Sequence, residues 1–288
     1  MNYHQPVLAS EIINFFDPKP GQVYFDVTLG NGGHSLEILK KGATVWGLDA
    51  DPLNLKIATD RINDLGLSQN FHPLLGNFGR IFTIWKKEIN QPLDGIVADF
   101  GLSLNQQSGQ SRGFSFKDTS SLDMRLNPKT QALTAEEIIN TWDKNQLYQI
   151  FTKYTQEKLA KPLIFEIIKA RQKKPIKNGA ELSQIISSYY QKKHYSSYHQ
   201  PATKIFLALR IAVNHEFENI HKLLTALPKI VKSGGKVAII SFHSGEDRLV
   251  KQYLQKNNYL SKKFLPTHSE VKKNPLSRSA ILRLYNLN

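Results

Sequence analysis

The run from Gln22 to Asp49 constrains this chain more than any other. Val23, Tyr24 and Phe25 form a short apolar stretch ending in the acid Asp26, the pattern of a buried strand. Gly30, Asn31, Gly32 and Gly33 follow, and backbone this rich in glycine turns sharply and comes close to a ligand. From His34 the spacing is helical, with Leu36 and Leu39 on one side, and a second strand from Thr44 to Leu48 ends in Asp49. Strand, glycine turn, helix, strand and acid is the order of a nucleoside-cofactor site, in which the acid accepts hydrogen bonds from ribose hydroxyls. The glycines are spaced G-x-G-G rather than G-x-G-x-x-G, so no pyrophosphate cradle is written here. On this run alone three readings stand: a nucleoside cofactor, a dinucleotide, or a tight strand-to-helix turn without a ligand.

The same alternation continues on its C-terminal side. Asp51 and Pro52 open a helix to about Leu65, Asn70 to Leu75 reads as a third strand, and Gly76-Asn77-Phe78 as the loop at its end. Ile81 to Trp85 reads as helix, and Leu93 to Asp99 as a fourth strand that again ends in an acid. Asp26, Asp49 and Asp99 therefore sit at strand carboxyl ends, which border one crevice in an open parallel sheet. On the N-terminal side, Glu11 to Phe16 is a short helix stopped by Pro18 and Pro20.

Then the rhythm breaks. Ser103 to Arg125 has no period and carries the cluster Arg112-Gly113-Phe114-Ser115-Phe116; a loop this long in a compact domain points to binding. From Thr134 to Tyr190 the pattern is helical throughout. Between Lys144 and Lys204 there are twelve Lys or Arg against three acids. Tyr189, Tyr190, Tyr195 and Tyr198 are interleaved there with Lys192, Lys193, His194 and His199, a mixture suited to base stacking and phosphate neutralisation. A solvated helical face with a tyrosine-rich edge is the plainer alternative. The net charge of +14 favours a polyanionic partner. The expected division is an α/β domain from residues 1–106 and 201–288 with an all-helical insertion at 107–200.

Alternation resumes with Lys204 to Leu227, read as one amphipathic helix closed by Pro228. Ser233-Gly234-Gly235 turns into a strand from Lys236 to Phe242, whose VAII core suits burial on both faces. Asp247 to Asn257 reads as helix, and Ser279 to Tyr285 as an edge strand.

Several chemistries are set aside. Asp99-Phe100-Gly101 matches the kinase DFG, yet no accompanying kinase motif exists in the chain. His243-Ser244 is not in a G-x-S-x-G elbow, and Ser244-x-x-Asp247 reads as a helix cap. The nine histidines show no ligand spacing and there is no cysteine, so neither a metal nor a disulfide is expected. No apolar run approaches the ~18 residues of a membrane span and no signal pattern precedes Val7, so a soluble, cytoplasmic chain is expected.

Seven stretches then carry a resemblance in order and spacing: DVTLGNGGHS from Asp26, DFGLS from Asp99, RGFSF from Arg112, LDMRLNP from Leu122, QPATKIFLALRIAVNHE from Gln200, SFHSGEDR from Ser241 and NPLSRSAILR from Asn274. Together they resemble the bacterial small-subunit (16S) ribosomal RNA cytidine-N4 methyltransferases, over essentially the whole chain. The resemblance implies a class I methyltransferase fold, that is, a Rossmann-like, doubly wound, mostly parallel sheet with an inserted helical domain for the substrate. It implies S-adenosylmethionine as cofactor, held by Gly32, Gly33, His34, Asp49, Phe78, Asp99 and Gln106, and 16S ribosomal RNA in the small subunit as partner. The target would be a cytidine of the decoding (P-site) region. The chain departs from the family pattern at Ser103-Leu104-Asn105-Gln106, at Ser111 and at Gly245. The cofactor residues, Gln106 among them, are intact, so those departures bear on the RNA contacts.

The difficult step in such a reaction is making an exocyclic amine nucleophilic while its lone pair is delocalised into the ring. An acceptor at the amine N–H favours the attacking geometry, and it is supplied by Asp99 or by a backbone carbonyl of the loop that Ser103 closes. Asp99 and Ser103 are thus the candidate catalytic residues. Arg112, Phe114, Lys192, Lys193 and His243 are the candidate RNA contacts. Two rivals stand beside this reading: a nicotinamide-dependent oxidoreductase, and a non-catalytic RNA-binding assembly factor.

Overall fold

The computed structural model describes residues 5–107, 112–194 and 202–288. The chain forms two compact units, residues 1–103 with 217–288, and residues 104–216.

The first unit is built on seven strands: β1 (Val23–Asp26), β2 (Thr44–Asp49), β3 (Phe71–Leu75), β4 (Leu93–Asp99), β5 (Val231–Ser241), β6 (Ser261–Phe264) and β7 (Ile281–Asn286). They lie in the order β3-β2-β1-β4-β5-β7-β6. Strands β1 to β5 pair in parallel, while β7 runs antiparallel to both β5 and β6. The order reverses between β1 and β4, and ligands in open α/β sheets bind outside the strand ends at such a switch point.

Successive residues of the central strands serve opposite faces. Phe25, Ile96, Ala98, Val237 and Ile239 join one buried cluster, and Tyr24, Val97, Ala238 and Ile240 join the other. That is why β4 and β5 read as continuous apolar runs. The face of Tyr24, Val97 and Ala238 is covered by α1 (Ala9–Phe16), α2 (Gly33–Leu39) and α3 (Pro52–Asp64), through residues such as Ile12, Ile38 and Ile62. A short α4 (Ile81–Ile84) follows β3 and passes directly into a π turn, Trp85–Ile89.

The second unit holds α5 (Leu104–Gln107), α6 (Ala135–Thr141), α7 (Lys144–Lys153), α8 (Ala160–Lys173), α9 (Gly179–Lys192) and α10 (Thr203–Asn214). Thr134, Asp143 and Asn178 cap α6, α7 and α9 with their side-chain oxygens, and Asp143 completes a capping box with Gln146. Leu147, Phe151, Leu163, Ile167, Leu182, Ile186 and Leu209 meet in one core.

The chain returns to the first unit with α11 (Glu216–Ile230), α12 (Ser244–Lys256) and α13 (His268–Lys273). Ile220, Leu223, Leu227 and Val250 cover the opposite face, that of Phe25, Ile96 and Val237.

Four expectations need correction. The helix expected over Lys204 to Leu227 is two helices, broken where His215 takes a left-handed φ of 51°; α10 belongs to the helical unit's core and α11 to the sheet. Pro228 does not close α11, since a proline in the last turn forfeits a single backbone bond, and the helix runs to Ile230. Ser233-Gly234-Gly235 lies within β5 as an irregularity, where Gly234 (φ 73°) donates its N–H to the Leu287 carbonyl. Finally, β7 is an interior strand; the sheet edge is β6, whose Lys262 and Lys263 suit an exposed edge.

Candidate active site

At the end of β1 the glycine turn is pinned from several sides. The Asp99 N–H donates to Thr28 Oγ1 at 2.6 Å, tying the turn to the end of β4. Arg61 Nη1 donates to the Asn31 carbonyl at 3.0 Å. Asp26, 2 % exposed, accepts from Ser35 Oγ at 2.7 Å and from the Thr28 N–H at 3.2 Å. Burial raises its carboxyl above the usual range, opposed by nearby His34 and by those hydrogen bonds. Asp26 therefore works inside the turn, a role distinct from that of the other two strand-end acids.

The glycines have separate reasons. Gly32 is left-handed (φ 76°), and a Cβ there would stand 3.2 Å from Ala58 Cβ; one on Gly33 would stand 3.0 Å from Pro6 Cβ. Their smallness is required by packing from behind the turn. At Gly30 (φ 51°) a Cβ would meet only the Thr28 carbonyl, at 3.9 Å, so here the backbone has open space beside it.

Asp49 ends β2 almost fully buried. Its Oδ2 accepts from the Gly30 N–H at 2.8 Å and its Oδ1 from the Asp51 N–H at 2.8 Å. Asn54 Nδ2 lies 3.4 Å from Oδ2. Desolvation dominates over these bonds and pushes the carboxyl up to about 7. The Gly76 N–H donates to the Asp49 carbonyl at 2.9 Å, which brings the loop after β3 alongside. In that loop Asn77 caps a short turn by accepting from the Gly79 N–H at 2.7 Å, and Phe78 is half-buried with its ring 5.7 Å from that of Phe100.

His34, the second residue of α2, is buried at 7 % exposure. Its Nε2 stands 3.7 Å from Asp99 Oδ2, beyond hydrogen-bonding distance, and no described residue hydrogen-bonds it. Asp99 remains a quarter exposed, with Oδ1 3.4 Å from the Gly101 N–H. A buried, unpartnered imidazole nitrogen beside a part-exposed carboxylate fits a polar ligand at the carboxyl ends of β1 and β4.

Sequence reasoning missed Asn54. It is buried on α3 and bridges two functional segments, since its Oδ1 accepts from Ser103 Oγ at 3.0 Å while its Nδ2 faces Asp49. The signal was present: Asn54, Ala58 and Ile62 are spaced as one helical stripe, and a polar residue inside an apolar stripe has a task.

The first unit thus brings together Gly32, Gly33, His34, Asp49, Phe78, Asp99 and Ser103 around the switch point. Gln106 lies in the second unit, buried within the single turn of α5. Also there, Arg112 donates through Nη1 to the carbonyls of Arg125 and Leu126, at 3.2 and 3.0 Å, with its guanidinium 5.6 Å from the Phe114 ring centre. Phe114 packs partly buried against the helical core, and Phe116 sets an edge on Phe206 at 4.9 Å. Lys192 and Lys193 are exposed at the end of α9. Tyr195, Tyr198 and His199, as well as Ser111 and Gln200, lie outside the described residues.

In the first unit again, His243 rather than Ser244 caps α12. Its Nδ1 accepts from the Gly245 N–H at 3.2 Å, and Glu246 completes the capping box. Glu246 is fully buried, with Oε1 3.1 Å from His243 Nε2 and Oε2 accepting from the Phe242 N–H at 2.7 Å.

A doubly wound sheet, a glycine turn after β1 and a buried acid after β2 define an α/β protein that binds a nucleoside cofactor at its switch point. The chain belongs to the MraW methylase family, whose model matches residues 1–287. It is therefore a methyltransferase of the S-adenosylmethionine-dependent kind, which sets aside the nicotinamide reading. It is similar to a ribosomal RNA small subunit methyltransferase H of Synechococcus sp. (strain JA-2-3B'a(2-13)), with 39 % identity over 98 % of this chain and 91 % of the relative. Its similarity to the protein of the same name from Mycoplasmopsis agalactiae is 35 %, over 98 % of both chains. Among solved structures it resembles an rRNA methylase from Streptococcus thermophilus at 11 % identity and a TM-score of 0.46, covering 100 % of each chain.

Proposed function

We propose that this chain methylates the N4 amine of a cytidine in the decoding region of 16S ribosomal RNA, acting in the cytoplasm on the small ribosomal subunit. The observation that carries the reading is the junction of β1 and β4, where Asp99 stays part-exposed beside the unpartnered Nε2 of buried His34. S-adenosylmethionine, when bound, supplies the methyl group as an electrophile. Asp49 would accept from the ribose hydroxyls, Phe78 would lie against the adenine, and the turn from Gly30 to Gly33 with His34 would hold the methionine end. Gln106 is proposed as a further cofactor contact from the helical unit.

Asp99 would accept one N–H of the target amine, turning its lone pair toward the methyl group. The Ser103 backbone carbonyl is the second candidate acceptor, and its loop is held by the Ser103 hydroxyl bond to Asn54. After transfer the methylated ammonium is acidic, and its proton would pass to Asp99 or to water. Arg112 and Phe114, Lys192 and Lys193 of the helical unit, and His243 of the first unit, are the proposed RNA contacts. His243 would act by fixing the start of α12 rather than by moving freely, given its two partners.

The test is methyl transfer to small subunits from cells lacking the gene, followed by mass spectrometry of the digested nucleosides. N4-methylated cytidine is expected with the wild-type protein and its loss with Asp99→Asn. Methylation of a different nucleoside would overturn the assignment of the target. RNA binding without any transfer would favour the non-catalytic assembly factor.

A further inference from the structure

Within the helical unit, α8 and α9 flank a groove of about 510 Å³. That is within the range of roughly 300–1,000 Å³ typical of small-ligand sites. Lys169, Lys173 and Lys174 line it from the end of α8, and Tyr189 and Lys192 from α9. The acids on its walls are Glu166 and Glu181. Glu181 is already engaged, 3.3 Å from Lys174 Nζ and accepting from the Lys177 N–H at 2.8 Å. Lys169, Lys173 and Lys192 are exposed and form no ion pair among the described residues. The groove therefore presents a net positive wall with three free ammonium groups.

One turn before Lys169 on the same face of α8 stands Phe165, 67 % exposed. A turn earlier is Lys161, whose Nζ lies 5.7 Å from the ring centre of half-exposed Tyr148. Phe165 thus presents an exposed aromatic ring between lysines of α8, next in the chain to Glu166 of the groove wall. An acidic polypeptide would satisfy the lysines and leave the flat ring without a matching partner. A nucleic acid strand satisfies both, with phosphates on the ammonium groups and a base on the ring.

We propose that the α8–α9 groove, with Phe165 on its shoulder, is the track on which the helical unit holds an unpaired segment of RNA. The proposal rests on the reading of the chain as an RNA methyltransferase and adds where the substrate strand runs. Lys192 becomes part of a defined groove; Lys169 and Lys173 are its new members, with Phe165 beside them on α8.

The test is fluorescence anisotropy of a labelled oligouridine titrated with the full chain over a salt series. Lys169→Glu combined with Lys173→Glu is expected to weaken binding more than about tenfold at low salt and to reduce the log–log salt slope by about 1.4. Phe165→Ala should weaken it about tenfold with the slope unchanged. All three side chains are exposed, so melting temperatures and cofactor affinity should stay as in the wild type. Lys262→Glu with Lys263→Glu on β6 makes the same change in charge and should cost little. The proposal is overturned if the wild type binds oligouridine and the groove variants bind it equally well, or if the β6 control loses as much. Tight binding of a polyglutamate peptide, untouched by Phe165→Ala, would assign the groove to an acidic protein instead. If the wild type neither binds RNA nor methylates small-subunit RNA, the functional reading itself fails.

Discussion

Burial decides how Asp49 behaves. Its carboxyl is pushed from 3.8 up to about 7, so the folded chain keeps a proton that the unfolded chain has already lost. The group favours the folded state below its unfolded value, and that contribution disappears as pH rises through about 7. Ribose hydroxyls donate to the ionised form, so cofactor binding below pH 7 must expel the proton. Affinity for S-adenosylhomocysteine is expected to rise about tenfold per pH unit up to about 7 and then level off. Asp49→Asn should flatten that profile and weaken binding at least tenfold, since charged hydrogen bonds contribute about 1.5–3 kcal/mol each. Calorimetry giving a flat wild-type profile would remove Asp49 from the site. Gly32→Ala meets a left-handed φ and the Ala58 side chain together, and should cost at least about 1–2 kcal/mol, read as a lower melting temperature. Both residues were legible in the sequence because each follows a strand pattern. Their packing was not: that Pro6 fills the space behind Gly33 depends on a contact no local pattern encodes.

Asn54 shows how elements communicate in this fold. It sits on α3, facing the acid of β2 with one end and holding the loop after β4 with the other. Replacing it by leucine should slow methyl transfer about tenfold, near 1.4 kcal/mol, while changing cofactor affinity only a few-fold. Ser103→Ala should also slow transfer, and the double variant should lose less than the sum of the two single losses, because the residues share one bond. Additive losses in single-turnover rates would show that they act separately. Most elements of the α/β unit were legible, since β4 and β5 are long apolar runs and α3 opens with an Asp-Pro cap. The break between α10 and α11 was not, because both helices are apolar on the same spacing and only the left-handed His215 separates them. β6 was invisible for the opposite reason: Ser-Lys-Lys-Phe has almost no apolar content and is a strand only because β7 offers it an edge. The cap of α12 was misplaced by one residue, since a histidine was not weighed as a capping side chain.

At the scale of the molecule, a net charge of +14 gives the chain a field that reaches beyond any single contact. Methyl transfer to ribosomal RNA should fall steeply as salt is raised, with cofactor affinity nearly constant; parallel declines in both would mean that salt is acting on the fold. The order of the strands has a further consequence, for the making of the protein. β7 occupies an interior position between β5 and β6 although it follows both in the chain. The sheet therefore cannot close, and β5 must wait with one side unpaired, until Ile281 to Asn286 emerge. The helical unit is one continuous stretch and can condense meanwhile. A message cut short before Ile281 would yield a folded helical unit joined to an open sheet, a product exposed to aggregation and proteolysis rather than a weakened enzyme.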